Sequence, residues 1–263
     1  MDPAVLVFAG GLGAIVGSFL NVVIHRLPAG ESIVHPRSRC PGCREPIPAW
    51  ANVPILSWLA LRGRCHRCKA PISIRYPLVE LLTAVVFVVL ARYGSAPPRL
   101  FAEWVLCAAL IAVTFIDLDH HIIPNVITKP GVVIALAVAW LAPPDHSMLQ
   151  VPFYVDALLG AVLCGGMLYG ISVVYERRFG RIGLGLGDAK LVMMLGAFLG
   201  LFPTLHLIIL GCVLGIAQFG ILALFGRMRS RTPIAFGPAL AVAGVLHVLQ
   251  PELLAPLLMP TLR

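Results

Sequence analysis

The sequence predicts an all-α polytopic membrane protein with about eight transmembrane helices and a four-cysteine cytosolic loop between the first and second helix. Of its 263 residues, 59% are hydrophobic and only 12% are charged, whereas soluble domains have roughly 45–50% apolar and about 25% charged residues. Several apolar runs approach the roughly 20 residues that a helix needs to cross a bilayer. This composition argues against a soluble single-core enzyme and excludes a disordered chain or a disulfide-stapled secreted miniprotein.

Eight apolar runs are the candidate membrane spans. In chain order they cover residues 5–24, 76–91, 100–116, 126–142, 154–174, 191–201, 204–225 and 236–249. The first run is rich in glycine and serine, which allow helices to pack closely in lipid. The sixth run is short and polar at its start. No internal repeat and no low-complexity tract is apparent.

The basic residues predict the orientation of these spans. With the N-terminus outside, the cytosolic segments receive all but three of the 20 lysine and arginine residues, and nine of them lie between residues 26 and 75. Such a bias is typical of cytosolic loops. We therefore expect a multi-pass protein of the bacterial inner membrane with both termini outside. Because the net charge of +8 is concentrated in these loops, it indicates topology rather than a nucleic-acid surface.

Four of the seven cysteines form two Cys-x-x-Cys pairs in the long basic loop. Cys40 and Cys43 precede Cys65 and Cys68 by a separation of 21 residues, which is close to the spacing of tetrahedral zinc sites. Disulfides are disfavoured in the cytosol, and a redox function would need only one pair. We expect a closed structural Zn²⁺ site of four thiolates that staples a loop too small to form its own core. His66 is not expected to be a ligand.

Two aspartates at the cytosolic ends of spans are candidate catalytic residues. A charge at membrane depth costs about 2.5–3.5 kcal/mol and so calls for a reason. Asp117 ends the third span, and Asp188 follows the glycine-rich residues 183–187, so both are expected at the same membrane face. Two carboxyl groups in one site share a proton, and such a pair can activate water against a peptide carbonyl. Helix capping is the alternative for either residue, and Asp119 is expected to be a second polar residue of the loop.

Several motifs occur in a fixed order along the chain. They are GSFLNVVIHRLP at residues 17–28, NVPILSW at 52–58 between the two cysteine pairs, IRYPLVE at 74–80, ID at 116–117, PN at 124–125, GLGD at 185–188 and TPIAFGP at 232–238. In this order they resemble the bacterial type IV prepilin peptidases, the aspartic leader peptidases of type IV pilus and type II secretion systems. The resemblance runs nearly end to end.

The resemblance implies both an activity and its residues. It implies that the short basic leader of prepilins and pseudopilins is cleaved after a glycine at the cytosolic membrane border, with Asp117 and Asp188 as the catalytic pair. It further implies N-methylation of the new N-terminal residue with S-adenosylmethionine, because the cysteine loop resembles that of the bifunctional form. The residues that bind S-adenosylmethionine are not identified. Glu80 is a candidate for the methylation site, with an ion pair to Arg75 as the alternative.

The expected organisation has three parts. Residues 1–27 form the first transmembrane helix, residues 28–75 form the cytosolic zinc-knuckle loop linked to N-methylation, and residues 76–263 form a seven-helix membrane region with the peptidase site. Prepilins, pseudopilins and membrane lipid are the expected partners, and nucleic acid is not. Three alternatives stay open: a peptidase without methylation, an intramembrane aspartyl protease that cuts inside an apolar helix, and a zinc-stapled transporter or scaffold.

Overall fold

Helices account for most of the described chain. The computed structural model describes residues 2–93, 95–144, 149, 151–180, 185–224 and 235–249, and no β-strand occurs within those ranges. All eight predicted apolar runs fall on helical segments, which confirms the all-α prediction. The predicted basic loop at 226–234, Arg181 and residues 183–184 of the glycine-rich stretch lie outside the described residues.

The chain divides into two compact units, Met1–Gly94 and Ser95–Arg263. The first unit contains helix α1 (Pro3–Arg26), a 3₁₀ turn (Ala49–Asn52), the short helix α2 (Leu56–Ala60) and helix α3 (Arg75–Tyr93). Helices α1 and α3 pack backbone against backbone, because a Cβ atom at Gly13 would lie 2.7 Å from the Ala84 Cα and one at Gly17 2.6 Å from the Glu80 Cα. Small residues four apart allow this close approach in lipid.

The second unit is a bundle built around one buried helix. Its elements are α4 (Pro97–His120), α5 (Asn125–Leu141), α6 (Phe153–Leu159), a π-helical segment (Gly160–Gly166), α7 (Met167–Phe179), α8 (Leu186–Leu199), α9 (Leu201–Leu224) and α10 (Gly237–Leu249). Leu191 and Leu195 of α8 are fully buried and belong to one apolar core with Leu110 of α4 and Leu240 of α10. This core fixes α8 against its neighbours.

Within the described residues, five helical segments are long and apolar enough to cross a membrane. They are Pro3–Arg26, Arg75–Tyr93, Pro97–His120, Phe153–Phe179 and Leu201–Ile221. Helices α5 and α10 are apolar but shorter, and α8 has only 14 residues. The described helices thus agree with a multi-pass membrane protein, while eight complete spans require the three shorter helices to cross as well.

Helix α8 begins five residues before the apolar run that predicted it. The run starts at residue 191, but the helix starts at Leu186, with Gly185 as its N-cap residue. The polar first turn was not counted in the apolar run because it contains Asp188 and Lys190. Asp188 is consequently the third residue of a helix rather than part of a connecting loop.

Glycines allow α8 to pack closely against the π-helical segment. A Cβ atom at Gly165 would lie 2.4 Å from the Met193 Cα, and one at Gly196 would lie 2.4 Å from the Gly160 carbonyl oxygen. No side chain fits at either contact without a shift of the backbone. The two helices therefore approach as closely as their main chains permit.

A polar cluster connects the start of α4 with the end of α8. Buried Arg99 forms an ion pair with Glu103, with 3.4 Å between Nε and Oε1, and its Nη2 donates to the Phe198 carbonyl oxygen at 3.0 Å. The backbone N–H of Leu201 donates to Asp156 at 2.8 Å. The start of α4 thus contacts the end of α8, and Asp117 near the end of α4 lies within electrostatic range of Asp188 near the start of α8, so the two helices run antiparallel.

Candidate active site and metal centre

Asp117 lies in the last turn of α4. The helix ends at His120, and the following residue, His121, adopts a left-handed conformation with φ of 53° and donates its N–H to the Asp117 carbonyl oxygen. The Asp117 side chain is buried, and its Oδ2 accepts a hydrogen bond of 3.1 Å from the backbone N–H of Gly237. Gly237 is the first residue of α10, where helix N–H groups lack partners within the helix. The start of α10 therefore holds the Asp117 carboxylate.

Asp188 lies in the first turn of α8. Its carboxylate accepts a hydrogen bond from the backbone N–H of Gly185, which is the N-cap residue of the helix. A carboxylate at this position satisfies an otherwise unpaired N–H and interacts favourably with the helix dipole. The absence of a side chain at Gly185 leaves room for the carboxylate, since a Cβ atom there would lie 2.7 Å from Oδ2 of Asp188.

Ile123 packs against the first turns of α8 and α10. A Cβ atom at Gly187 would lie 3.0 Å from the Ile123 Cβ, and one at Gly237 would lie 3.0 Å from the Ile123 Cδ1. Asp117 lies within electrostatic range of Asp188. The structure thus brings together the two aspartates that the sequence singled out, and the glycines at 187 and 237 provide the space.

A hydrogen bond connects α8 to α5 beside this pair. The Nζ of Lys190 donates to Oδ1 of Asn125 at 2.8 Å, and Asn125 is the first residue of α5. No role was predicted for Lys190, Ile123 or Gly237. Gly237 was quoted only as part of a motif, and its position at the start of the apolar run 236–249 was the one signal that it starts a helix.

Asp119 does not share this environment. It is exposed near the end of α4, two residues beyond buried Asp117. Residues two apart on a helix point in different directions. The two neighbouring aspartates can therefore be separated experimentally.

The four predicted metal-ligating cysteines come together in the first unit. The Sγ atoms of Cys40, Cys43, Cys65 and Cys68 all lie within 4.8 Å of one another, and those of Cys40 and Cys68 are 3.7 Å apart. Four sulfurs at about 2.3 Å from a Zn²⁺ ion would be separated by about 3.8 Å in a tetrahedron. The sulfur positions therefore fit a tetrahedral metal ion with four thiolate ligands.

Each cysteine pair is carried by the same backbone turn. In the first turn the Arg44 N–H donates to the Cys40 carbonyl oxygen at 2.8 Å, and in the second the Lys69 N–H donates to the Cys65 carbonyl oxygen at 3.2 Å. Arg44 and Lys69 both have a positive φ, of 58° and 60°. The sequences RCPGCREPI and RCHRCKAPI follow one pattern. The expectation of no internal repeat is wrong at this scale, because the repeat is a single turn of nine residues.

The turn also prepares a thiolate for metal binding. Backbone N–H groups of Cys68 and Arg67 lower the pKa of Cys65 to about 6. Although a backbone hydrogen bond at Glu45 lowers the pKa of Cys43, burial and hydrogen bonds with the other thiols raise it to about 11. A metal requires the deprotonated sulfur, so Cys65 is available as a ligand at a lower pH than Cys43. His66, which was excluded as a ligand, packs its ring edge-on against Trp50 with 5.5 Å between the ring centroids.

Two family models match the chain, one for each compact unit. Residues 12–93 match the bacterial peptidase A24 N-terminal domain, and residues 104–220 match the type IV leader peptidase family. No solved structure matches the chain significantly.

Curated relatives match most of the chain. A prepilin leader peptidase/N-methyltransferase of Myxococcus xanthus is 44% identical over 88% of this chain and 67% of its own length. Proteins of the same name from Stutzerimonas stutzeri and Neisseria gonorrhoeae are 37% and 38% identical, over 89% and 93% of this chain and 86% and 90% of their own lengths. With both units matched in order, the chain belongs to the type IV leader peptidase family.

Proposed function

We propose that this protein removes the basic leader of type IV prepilins and pseudopilins and then methylates the new N-terminal residue with S-adenosylmethionine. The observation that carries the proposal is the convergence of Asp117 and Asp188, each held by a backbone N–H at a helix start. The names of the curated relatives support both activities.

The proposed cleavage uses the two aspartates as one unit. One carboxyl group keeps a proton while the other, ionised, takes a proton from water. The resulting hydroxide adds to the scissile carbonyl carbon, and the protonated carboxyl donates to the leaving amine. Gly237 and Gly185 orient the carboxylates through their N–H groups, and this orientation contributes because small displacements of reacting groups cost rate.

The proposed topology has eight spans with both termini outside. In this arrangement α5, α8 and α10 cross the membrane as the three shorter helices, and Asp117, Asp188 and the cysteine loop face the cytosol. A prepilin would enter laterally with its apolar helix in lipid and its basic leader in the cytosol. The scissile bond then lies at the membrane border. Lysine and arginine bias in the loops supports this orientation.

We propose Zn²⁺ as the metal of the four-cysteine cluster and a structural role for it. Four thiolates fill a tetrahedral shell, so no position is left for water or substrate. In the proposed division of labour, residues 28–75 serve the methylation and residues 76–263 carry the peptidase site. S-adenosylmethionine is consumed in the reaction and is therefore a second substrate.

The proposal is tested by the mass of the product. Purified protein in detergent is incubated with a purified prepilin, with and without S-adenosylmethionine, and the products are weighed by mass spectrometry. We expect a single cut at the border between leader and apolar segment, and a product one methyl group heavier when S-adenosylmethionine is present.

Each alternative predicts a different outcome of this assay. A cut inside the apolar helix would instead support an intramembrane aspartyl protease. Cleavage without the added methyl group would limit the function to the peptidase, and an intact prepilin would contradict the enzyme altogether.

A further inference from the structure

Glu80 is a buried carboxylate in the first unit that the cleavage does not use. It lies on α3 with only 8% of its surface exposed. Its Oε2 accepts a hydrogen bond of 2.6 Å from the Ile55 backbone N–H, and the Ser18 hydroxyl donates to the same carboxylate. Ionisable groups within apolar helices are rare and mark functional sites by default.

The site is assembled from three segments. The backbone contact of Gly17 with Glu80 brings α1 close enough for Ser18 to reach the carboxylate. On the same two helices, Asn21 Nδ2 donates to the Tyr76 carbonyl oxygen at 3.1 Å. The loop supplies Ile55. A polar cluster thus lies where both helices meet the loop.

The backbone at Ile55 is strained. Ile55 has φ of 61° and ψ of −53°, and the Leu56 N–H donates to the Pro54 carbonyl oxygen at 2.5 Å. This is a γ-turn of the rare type with positive φ, and a β-branched residue is a genuine outlier there. Strain of this kind persists where the surroundings hold it, and it clusters at binding and active sites. The strained turn aims its N–H at Glu80.

The hydrogen bonds of Glu80 do not account for a carboxylate at this position. The Ile55 amide and the Ser18 hydroxyl are both uncharged, and a glutamine would satisfy the same two partners without a buried anion. An ionised carboxylate has about four acceptor positions, and among the described residues two of them have a donor. A cationic ligand with several N–H groups matches both the charge and the remaining acceptor positions.

We propose that Glu80 binds the new N-terminal ammonium group of the cleaved substrate and takes its proton for methylation. The inference rests on the proposed function and adds the residue that holds the amine. A primary ammonium donates three N–H bonds, and the nitrogen that is to be methylated is such a group. The methyl donor also carries a primary ammonium on its methionine moiety, so a peptide with a free or an acetylated amine distinguishes the two cations.

The proton and electron balance is simple. One N–H bond of the ammonium breaks, and its proton moves to a carboxylate oxygen of Glu80. The freed lone pair on nitrogen forms the new N–C bond to the methyl group, while the S–C bond of S-adenosylmethionine breaks and its electron pair stays on sulfur. The carboxylate thus supplies orientation and general-base assistance.

Glu80→Gln is the direct test, because it keeps both hydrogen-bond partners and removes the charge. Glu31→Gln is the matched control, since Glu31 is an exposed carboxylate of the same unit. With prepilin and S-adenosylmethionine, we expect Glu80→Gln to cleave at the wild-type rate and to methylate at least about tenfold more slowly, the loss typical of one charge-assisted hydrogen bond. The control is expected to match wild type in both reactions.

A binding measurement tests the same residue without turnover. A fluorescent peptide with the mature pilin N-terminus is titrated with its amine free or acetylated. Wild type is expected to prefer the free amine by about tenfold or more, and Glu80→Gln is expected to lose that preference. Equal methylation by Glu80→Gln and wild type, or an unchanged preference for the free amine, would overturn the inference.

A double variant separates charge from turn geometry. Glycine adopts positive φ without strain, so Ile55→Gly combined with Glu80→Ala keeps the turn accessible without the carboxylate. We expect it to cleave and not to methylate, whereas restored methylation would overturn the role of the charge. If wild-type protein itself cleaves without methylating, the methyltransferase part of the proposed function fails. The inference about Glu80 fails separately, when wild type methylates the product and Glu80→Gln methylates it equally fast.

Discussion

The metal centre and the aspartate pair are built in opposite ways. The four cysteines are positioned by two short turns whose hydrogen bonds stay within each turn, so the site is encoded locally. The two aspartates lie on different helices and meet only because α4, α8 and α10 pack together. The four-cysteine site depends on a metal ion to hold its two turns together, whereas the aspartate pair depends on the space between the packed helices. Metal loss and added side-chain volume should therefore damage different sites.

The largest expected effect is loss of the metal. Cys40→Ser removes one of four thiolates, and structural zinc contributes about 10–16 kcal/mol to the folding of zinc-finger peptides. We expect metal content, measured by mass spectrometry of the purified protein, to fall from one ion per chain to none. Proteolysis within residues 38–72 should then accelerate.

Cys212→Ser is the control for this experiment. Cys212 is an exposed thiol on α9, outside the cluster, so its removal should leave one metal ion per chain. A Cys40→Ser protein that keeps its metal would contradict the four-thiolate site.

The second-largest expected effect is on the rate of leader cleavage, through the position of the Asp117 carboxylate. Gly237→Ala places a Cβ atom 2.7 Å from Oδ2 of Asp117 and 3.0 Å from Ile123, so the carboxylate must move. Because a displacement of about 1 Å can cost 100-fold in rate, we expect kcat for leader cleavage to fall roughly 10- to 100-fold while the metal content stays at one. Gly220→Ala, at a position with open space, is expected to cleave normally. Normal cleavage by Gly237→Ala would show that this turn does not position Asp117.

A smaller effect is expected at the close contact of α8 with the π-helical segment. Gly196→Ala places a Cβ atom 2.4 Å from the Gly160 carbonyl oxygen, and overpacking of this kind costs about 1–3 kcal/mol. We expect a lower temperature of thermal unfolding, read from the chemical accessibility of Cys107 and Cys164, which are buried in the second unit. Gly170→Ala has open space around it and should unfold like wild type. Equal unfolding temperatures for both variants would mean that the backbone contact at Gly196 is absent in the protein.

The smallest effect concerns the hydrogen bond between Lys190 and Asn125. A single hydrogen bond of a charged group contributes about 1.5–3 kcal/mol when buried and less when solvent reaches it. Lys190→Met and Asn125→Ala are each expected to slow cleavage several-fold. The double variant should be no slower than the slower single variant, because both remove the same contact. Multiplicative losses would show that the two residues act independently.

The difference between the locally built cysteine site and the aspartate site built by helix packing also decides which features the sequence could predict. The cysteine pairs are close in sequence and carry a recognisable spacing, so their ligand set was predictable. The apolar runs predicted the long helices of the described residues, because a helix that crosses a membrane must be hydrophobic over most of its length. The apolar run that predicted α8 began five residues after the start of the helix, because the first turn is polar and packed inside protein, where an apolar run is not required.

The contacts that hold the aspartates were beyond sequence reasoning. Nothing in the residues around Asp117 indicates that Gly237, far along the chain, donates to it, because the contact arises from the packing of α10. The same holds for Ile55 and Glu80, since a positive φ at an isoleucine contradicts its local preference and appears only in three dimensions. By contrast, the repeated nine-residue turn was readable in the sequence and was overlooked.

The central claim is that Asp117 and Asp188 act as a pair in leader cleavage. The most direct measurement is the single-turnover rate of prepilin cleavage by Asp117→Asn, Asp188→Asn and Asp119→Asn under identical conditions. Asparagine keeps the volume and the N–H contacts from Gly237 and Gly185 but cannot exchange a proton. The account predicts at least about a thousandfold loss in the first two variants and a wild-type rate in the third. Cleavage by either of the first two at a rate near wild type, or loss of cleavage in Asp119→Asn alone, would contradict it.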